Sequence, residues 1–301
     1  MLGVAYAVLE EGIMVKSFFD PTWPDLGLLA IYGRWAGVNW VWAAWLSIYH
    51  SVYSITIPIL LVELTFPEFR PRPYLGRKGL TFFFALIISV VAAWNLLETR
   101  YTAAPSYLLA CLLVIAILAC SAKRLPALRM GGGGSMTKEK RLWATGFLMG
   151  ASYFFLFFNA LPAIGLPPLF TMVMMALFTF AVVYMLLGFA KRGFREAQGL
   201  ALAAGMLSVF IALGPILELS PRGTRDFTGE SLVSVSFVVF LVWLRRRVRS
   251  EDRVSKLRGT QGAVQAANSE GGDAVQAPCC GYAEAGSRAL ASPDTCAPSS
   301  A

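Results

Sequence analysis

The sequence predicts an all-α fold, a polytopic transmembrane helical bundle of about eight spans, on three observations. Apolar residues make up 56% of the 301 positions and charged residues 15%, against about 45 to 50% and about 25% in an ordinary soluble domain. No Asp, Glu, Lys or Arg occurs between Arg34 and Glu63, Lys78 and Glu98, Arg100 and Lys123, Arg141 and Lys191, or Glu196 and Glu218. Each gap holds the roughly 20 residues that cross a hydrocarbon core. The third observation is that the cations gather in alternate short loops.

Apolar runs and their breakers place the helices at 2–19, 38–66, 79–98, 103–122, 142–164, 167–190, 198–219 and 228–244. The first carries Glu10 and Glu11 near its middle, and the second contains Pro58. The third and fourth fill the charge-free runs on either side of Arg100. The stretch from Leu142 to Ala190 is too long for one span, and Pro162, Gly165, Pro167 and Pro168 divide it into the fifth and sixth. The seventh lies between Glu196 and Glu218, and the eighth has about 14 strongly apolar residues before Arg245.

Loop charge sets the expected orientation. Loops 67–78, 123–141 and 191–197 hold 13 Lys and Arg, and the alternate loops hold only Arg34, Arg100, Arg222 and Arg225. Short cytoplasmic loops carry the basic excess, so both termini are expected inside, in a multi-pass protein of the cell membrane. Trp23, Trp35, Trp40, Trp42, Trp45 and Trp94 fall at or near the outer boundary in this scheme, where indole rings favour headgroups. A core-filling role competes with that placement for Trp45 and Trp94.

Residues 1–246 form the predicted membrane domain and 247–301 a disordered cytoplasmic tail, because the tail turns to Ala, Gly, Ser, Pro and Gln without apolar periodicity. Arg245, Arg246, Arg247 and Arg249 open it and are expected to meet anionic lipid headgroups. The bilayer is the expected partner and nucleic acid is not, since the net charge of +8 resides in interhelical loops and the tail. Glycines 131–134, followed by Ser135, give a flexible link between halves of four helices that show no convincing repeat. Cys111 and Cys120 lie in an apolar run and Cys279, Cys280 and Cys296 in the tail, without metal-site spacing, so neither disulfide, metal nor cofactor is expected. Apolar character begins at Leu2, ahead of the first cation at Lys16, with no basic region of a signal peptide. A further segment before Met1 is therefore expected.

A charge at mid-bilayer costs about 2.5 to 3.5 kcal/mol on insertion scales, so Glu10 and Glu11 need a reason. Helical neighbours stand about 100° apart, so one narrow seam does not hide both, and at least one is expected to be protonated or paired across a helix interface. His50 is the only histidine. Ser47, His50 and Ser54 follow helical spacing, Asn39 falls near the same face, and Asn95 lies deep in the third helix. Pro58 has no N–H for the Ser54 carbonyl, which opens the ladder one turn below His50. The catalytic candidates are thus Glu10, Glu11 and His50, and the substrate-binding candidates Asn39, Ser47, Ser54 and Asn95.

Residues 9–68, running from LEEGIMVKSFFDP through GRWAGVNWVWAAWLSIYH to LTFPE, resemble a group of uncharacterised prokaryotic multi-pass membrane proteins. More remotely, the Glu10–Glu11 pair on one helix and His50 on the next resemble the intramembrane proteases that process CAAX proteins and bacteriocins. In that family the motifs are EExxxR, a histidine four residues after an aromatic, and a later His with Asn or Asp. Here Val15 stands at the arginine position, with Lys16 next to it, and Leu46 at the aromatic one. The resemblance implies that a glutamate activates water for attack on a peptide bond. The residues leave two other readings open, a proton-coupled secondary transporter of a small solute and a non-catalytic membrane scaffold.

Overall fold

The computed structural model describes residues 1–70, 72–97, 101–125, 137–220 and 227–272, with side chains described as far as Glu251. Glycines 131–134, Ser135, Arg100, Arg129, Arg222, Arg225, Cys279, Cys280 and Cys296 lie outside these residues. The described residues contain eight helical stretches that overlap the eight predicted runs, the first ending at Met14 instead of 19 and the last running on to Gly272 instead of 244. They are α1, residues 2–14; α2, Trp40–Thr65; α3, Arg77–Leu97; α4, Pro105–Ala122; α5, Glu139–Ala163; α6, Pro168–Lys191; α7, Glu196–Leu219; and α8, Glu230–Gly272. Among the described residues, six of them, α2 to α7, are long and apolar enough to cross a membrane.

The first and last fall short of that measure for different reasons. In α1, six α-helical residues, Leu2–Ala7, are followed by seven π-helical ones, Val8–Met14. At about 1.5 Å per residue this is well under the ~30 Å of a hydrocarbon core. The chain then leaves the helix at Lys16, whose φ of 61° stops it. In α8 the apolar stretch is cut short by Arg245, Arg246, Arg247 and Arg249. The compact unit that holds the membrane helices ends at Glu251. Beyond it the backbone is helical to Gly272, where composition predicts disorder from 247. Ala, Arg, Gln, Glu and Lys favour helix, and elongation from an existing helix needs no new nucleus.

Two apolar clusters are strung along α2. Near its start, Val41, Trp42, Trp45 and Leu46 pack with Phe18, Leu26 and Leu29 of the 15–39 segment, Cys111 of α4, Tyr153 and Phe157 of α5, and Met175 of α6. Near its end, Ile57, Leu61 and Leu64 pack with Ala197, Leu200 and Ala203 of α7 and with Leu241, Leu244 and Val248 of α8. Trp42 and Trp45 are each 4% exposed and stack on one another at 5.5 Å, so they fill the core. Trp35 and Trp40, also stacked, remain exposed. No residue of α3 is buried, and its Phe and Ile side chains face outward, as a lipid-facing helix requires.

Segment 15–39 caps the start of α2. The Arg34 guanidinium donates to the carbonyls of Phe19 at 2.7 Å, Asp20 at 3.3 Å and Ala30 at 3.3 Å. A two-residue hairpin, β1 (Arg34–Trp35) and β2 (Val38–Asn39), leads into the helix. At the opposite end, polar pairs gather helix termini. Arg70, after α2, bonds Glu196 at the start of α7, and that bond holds the guanidinium above its ordinary value. Gln198 donates to the Thr137 carbonyl at 2.9 Å, and Arg249 donates to Glu139 at 2.6 Å. The described cations before α5, before α7 and late in α8 therefore share one end of the bundle.

α5 and α7 make the closest helix contact. A Cβ on Gly146 would lie 2.1 Å from the Leu202 carbonyl oxygen, and one on Gly205 would lie 2.0 Å from that of Trp143. Gly146 and Gly150 are four apart, the small-residue spacing that lets membrane helices approach backbone to backbone.

Candidate functional site

Glu10, Glu11 and His50 come together between the two apolar clusters. The imidazole is inserted between the carboxylates: His50 Nε2 lies 3.2 Å from Glu11 Oε1, and Nδ1 lies 3.4 Å from Glu10 Oε2. Ser54 Oγ is 3.0 Å from the same Nδ1. Side-chain exposure is 7% for His50, 12% for Glu11 and 30% for Glu10, so the acid nearest the surface is Glu10. The ring edges of Tyr6 and Tyr49 complete the enclosure at 5.5 and 5.2 Å from the imidazole.

Backbone geometry makes this possible. Both halves of the site lie on π-helical turns, Val8–Met14 for the acids and His50–Thr56 for the histidine. Such turns are rare and frequent at functional sites. Val15 N–H bonds the Glu10 carbonyl at 2.8 Å, five residues back, and Ile57 N–H bonds that of Val52. A proline destroys the α ladder on its N-terminal side, and the π turn before Pro58 absorbs that loss by shifting the bonds one residue. The third π turn, Ser152–Ala160, stands before Pro162 in the same way. Glu11 is thus paired across a helix interface, as expected of at least one of the two acids. The wider turn brings neighbours closer in angle, and an imidazole has nitrogens on two sides, one for each acid.

The acids are held unequally. Glu11 accepts from Nε2–H of His50 and, through Oε2, from the Ser17 hydroxyl, which in turn accepts Trp42 Nε1–H at 3.0 Å. Ser17 is fully buried. Glu10 Oε2 is buried and has no hydrogen bond, since the Nδ1 geometry favours Ser54. A buried polar atom without a hydrogen bond is uncommon.

The other candidates divide. Ser54 joins the site. The Ser47 carbonyl accepts from Ser51 at 2.7 Å and acts in the helix backbone. Asn95 donates to the carbonyls of Ile13 at 3.2 Å and Val91 at 2.9 Å, bracing the end of the turn that carries Glu11. Asn39 is not on the His50 face. It is fully buried, accepts from Trp42 N–H at 3.0 Å as the N-cap of α2 and donates to the Leu29 carbonyl at 2.5 Å. Asn39→Ala is expected to lower stability by about 2 kcal/mol, since it removes a cap worth about 1 kcal/mol and orphans a buried carbonyl. An unchanged melting temperature would contradict that role.

Ser17 and Gly3 were not singled out from the sequence. Ser17 lies beyond the helix and meets Glu11 only because the chain turns at Lys16. A Cβ on Gly3 would fall 2.4 Å from Ser51 Cα, so this glycine sets the approach of α1 to α2 beside His50. Among the described residues, no group of three or more His, Cys, Asp or Glu is arranged to hold a metal ion.

Residues 1–255 match the sequence model of an uncharacterized membrane protein family, and the chain belongs to that family. No curated protein and no solved structure matches it.

Proposed function

We propose that the chain is an intramembrane peptide hydrolase in which Glu10 is the base and His50, oriented by Glu11, stands 3.4 Å from it. The observation that carries this reading is one imidazole held between two carboxylates on facing π turns, with Glu10 Oε2 left unbonded. In the proposed reaction Glu10 takes a proton from water while the water oxygen bonds to the amide carbonyl carbon. The C–N bond then breaks, and the proton held by Glu10 passes to the leaving amine. The resemblance of the Glu pair and His50 to the CAAX and bacteriocin-processing proteases supplies the substrate class.

The second reading is proton-coupled carriage of a small solute. It is favoured by the row of exchangeable protons from Ser17 through Glu11 and His50 to Ser54. One experiment separates the readings. The full chain in liposomes is given membrane-inserted peptides, some prenylated near the C-terminus and some carrying a bacteriocin-type leader, in water enriched in oxygen-18. Hydrolysis puts one heavy oxygen in each new carboxylate, and Glu10→Gln slows it by about 100-fold or more. Intact peptides, together with a solute-dependent proton flux that Glu11→Gln abolishes, would replace the hydrolase by a carrier. Neither activity would leave a scaffold.

The same proposal places the basic end of the bundle in the cytoplasm and counts α8 as a crossing. Glu218, at the end of α7, accepts from Ser231 N–H at 2.7 Å, and Glu139, at the start of α5, accepts from Arg249 at 2.6 Å, so α8 runs the length of its neighbours. In a cysteine-free background, Lys138→Cys and Thr228→Cys are expected to react with a membrane-impermeant thiol reagent from opposite sides. Reaction of both from one side would overturn the arrangement.

A further inference from the structure

α5, α7 and α8 enclose a groove of about 560 Å³ that has no part in the Glu–His site. On α7 it is walled by Ala197, Ala201, Ala204 and Ser208, spaced three to four apart and so on one helix face. These small side chains make the wall concave, and Val238 and Leu241 of α8 stand opposite. The polar atom in the wall is already used: Ser208 donates to the Ala204 carbonyl at 2.7 Å and accepts from Trp143 Nε1–H at 3.2 Å. The body of the groove therefore offers a ligand only apolar contact.

Its basic end is different. Glu139, Lys140 and Arg245 line it there. Glu139 is bound by Arg249 at 2.6 Å as well as by Arg245 at 3.2 Å. Lys140 has no ion-pair partner among the described residues, so the cations exceed the single carboxylate. From Ala197 to Ser208 the wall rises about 17 Å at 1.5 Å per residue, close to the ~15 Å of one leaflet's hydrocarbon.

We propose that this groove is a binding site for one anionic phospholipid, an acyl chain lying along α7 and the phosphate on Lys140 and Arg245. The site deepens the general attraction of the arginine cluster for headgroups into a defined pocket. Its charge selects an anionic head, and its uniformly apolar wall selects a hydrocarbon chain over a peptide or a polar solute.

The test is native mass spectrometry of the full chain in mild detergent with phosphatidylglycerol and phosphatidylcholine added together. The wild type is expected to keep one phosphatidylglycerol, at least tenfold in preference to phosphatidylcholine. Lys140→Gln with Arg245→Gln is expected to remove the preference. Ala204→Phe fills the groove while leaving both cations, and is expected to lose the bound lipid with the melting temperature unchanged. Should Ala204→Phe not fold, Val242→Phe fills the groove from the α8 side. Retention of phosphatidylglycerol by a folded groove-filled variant would overturn the proposal in favour of an open charged surface. Equal retention of the two lipids by the wild type would overturn it outright.

Discussion

Gly205→Leu is expected to cost the protein its folded bundle. The added Cβ would meet the Trp143 carbonyl oxygen at 2.0 Å and the Phe147 amide nitrogen at 2.8 Å, both backbone atoms that no rotamer change can move. Overpacking a core that can yield costs about 1 to 3 kcal/mol. Here the relief available is separation of α5 from α7, which also parts Gly146 from the Leu202 carbonyl. Membrane helices gain little from the hydrophobic effect on association and rely on close packing, so the loss is not recovered elsewhere. The expected readout is a drop of more than about 10 °C in detergent melting temperature, or loss of the monodisperse species. Gly188 on α6 has nothing within 4 Å of a built Cβ, and Gly188→Leu is expected to melt like the wild type. Equal behaviour of the two variants would show that α5 and α7 do not meet as described.

The second large effect divides two adjacent glutamates. Glu11→Gln replaces a carboxylate that accepts from His50 and Ser17 in a nearly closed site, and it is expected to destabilise by about 1 to 3 kcal/mol. Glu10→Gln removes an acid with an oxygen that no hydrogen bond satisfies. It is expected to melt at or above the wild-type temperature while abolishing hydrolysis, the pattern of a site that trades stability for activity. Melting temperature and cleavage are read on the same preparations. If Glu10→Gln lowers the melting temperature as far as Glu11→Gln and leaves cleavage intact, the acids serve to join helices and the hydrolase reading fails. His50→Ala is expected to lose both properties, since it leaves Glu11 without its nitrogen partner at 3.2 Å.

The six long apolar helices, α2 to α7, were legible because absence of charge over some twenty residues is a local property. So was the need of the intramembrane acids for a partner or a proton, since a bare charge in hydrocarbon is costly. Asn39 was misplaced and the burial of Trp42 was not legible, for a common reason. An indole or an amide has the same composition whether it faces headgroups, lines a site or caps a helix, and only its neighbours decide. Trp42 is held by Trp45 and Ser17, and Asn39 by the Leu29 carbonyl ten residues before it.

The sequence by itself determined a membrane bundle, its helices and their breaks, the residues too polar to be idle, and the basic loops, all from charge-free length and the position of prolines. Tertiary structure decided that Glu10 and Glu11 converge on one imidazole, that Ser17 rather than Asn39 supports them, and that the glycines of α5 and α7 bring those backbones into contact. Those outcomes depend on π turns and on crossings between residues as far apart as Trp143 and Gly205. The helical period that orders a sequence along one axis contains no information about the angle at which two axes meet.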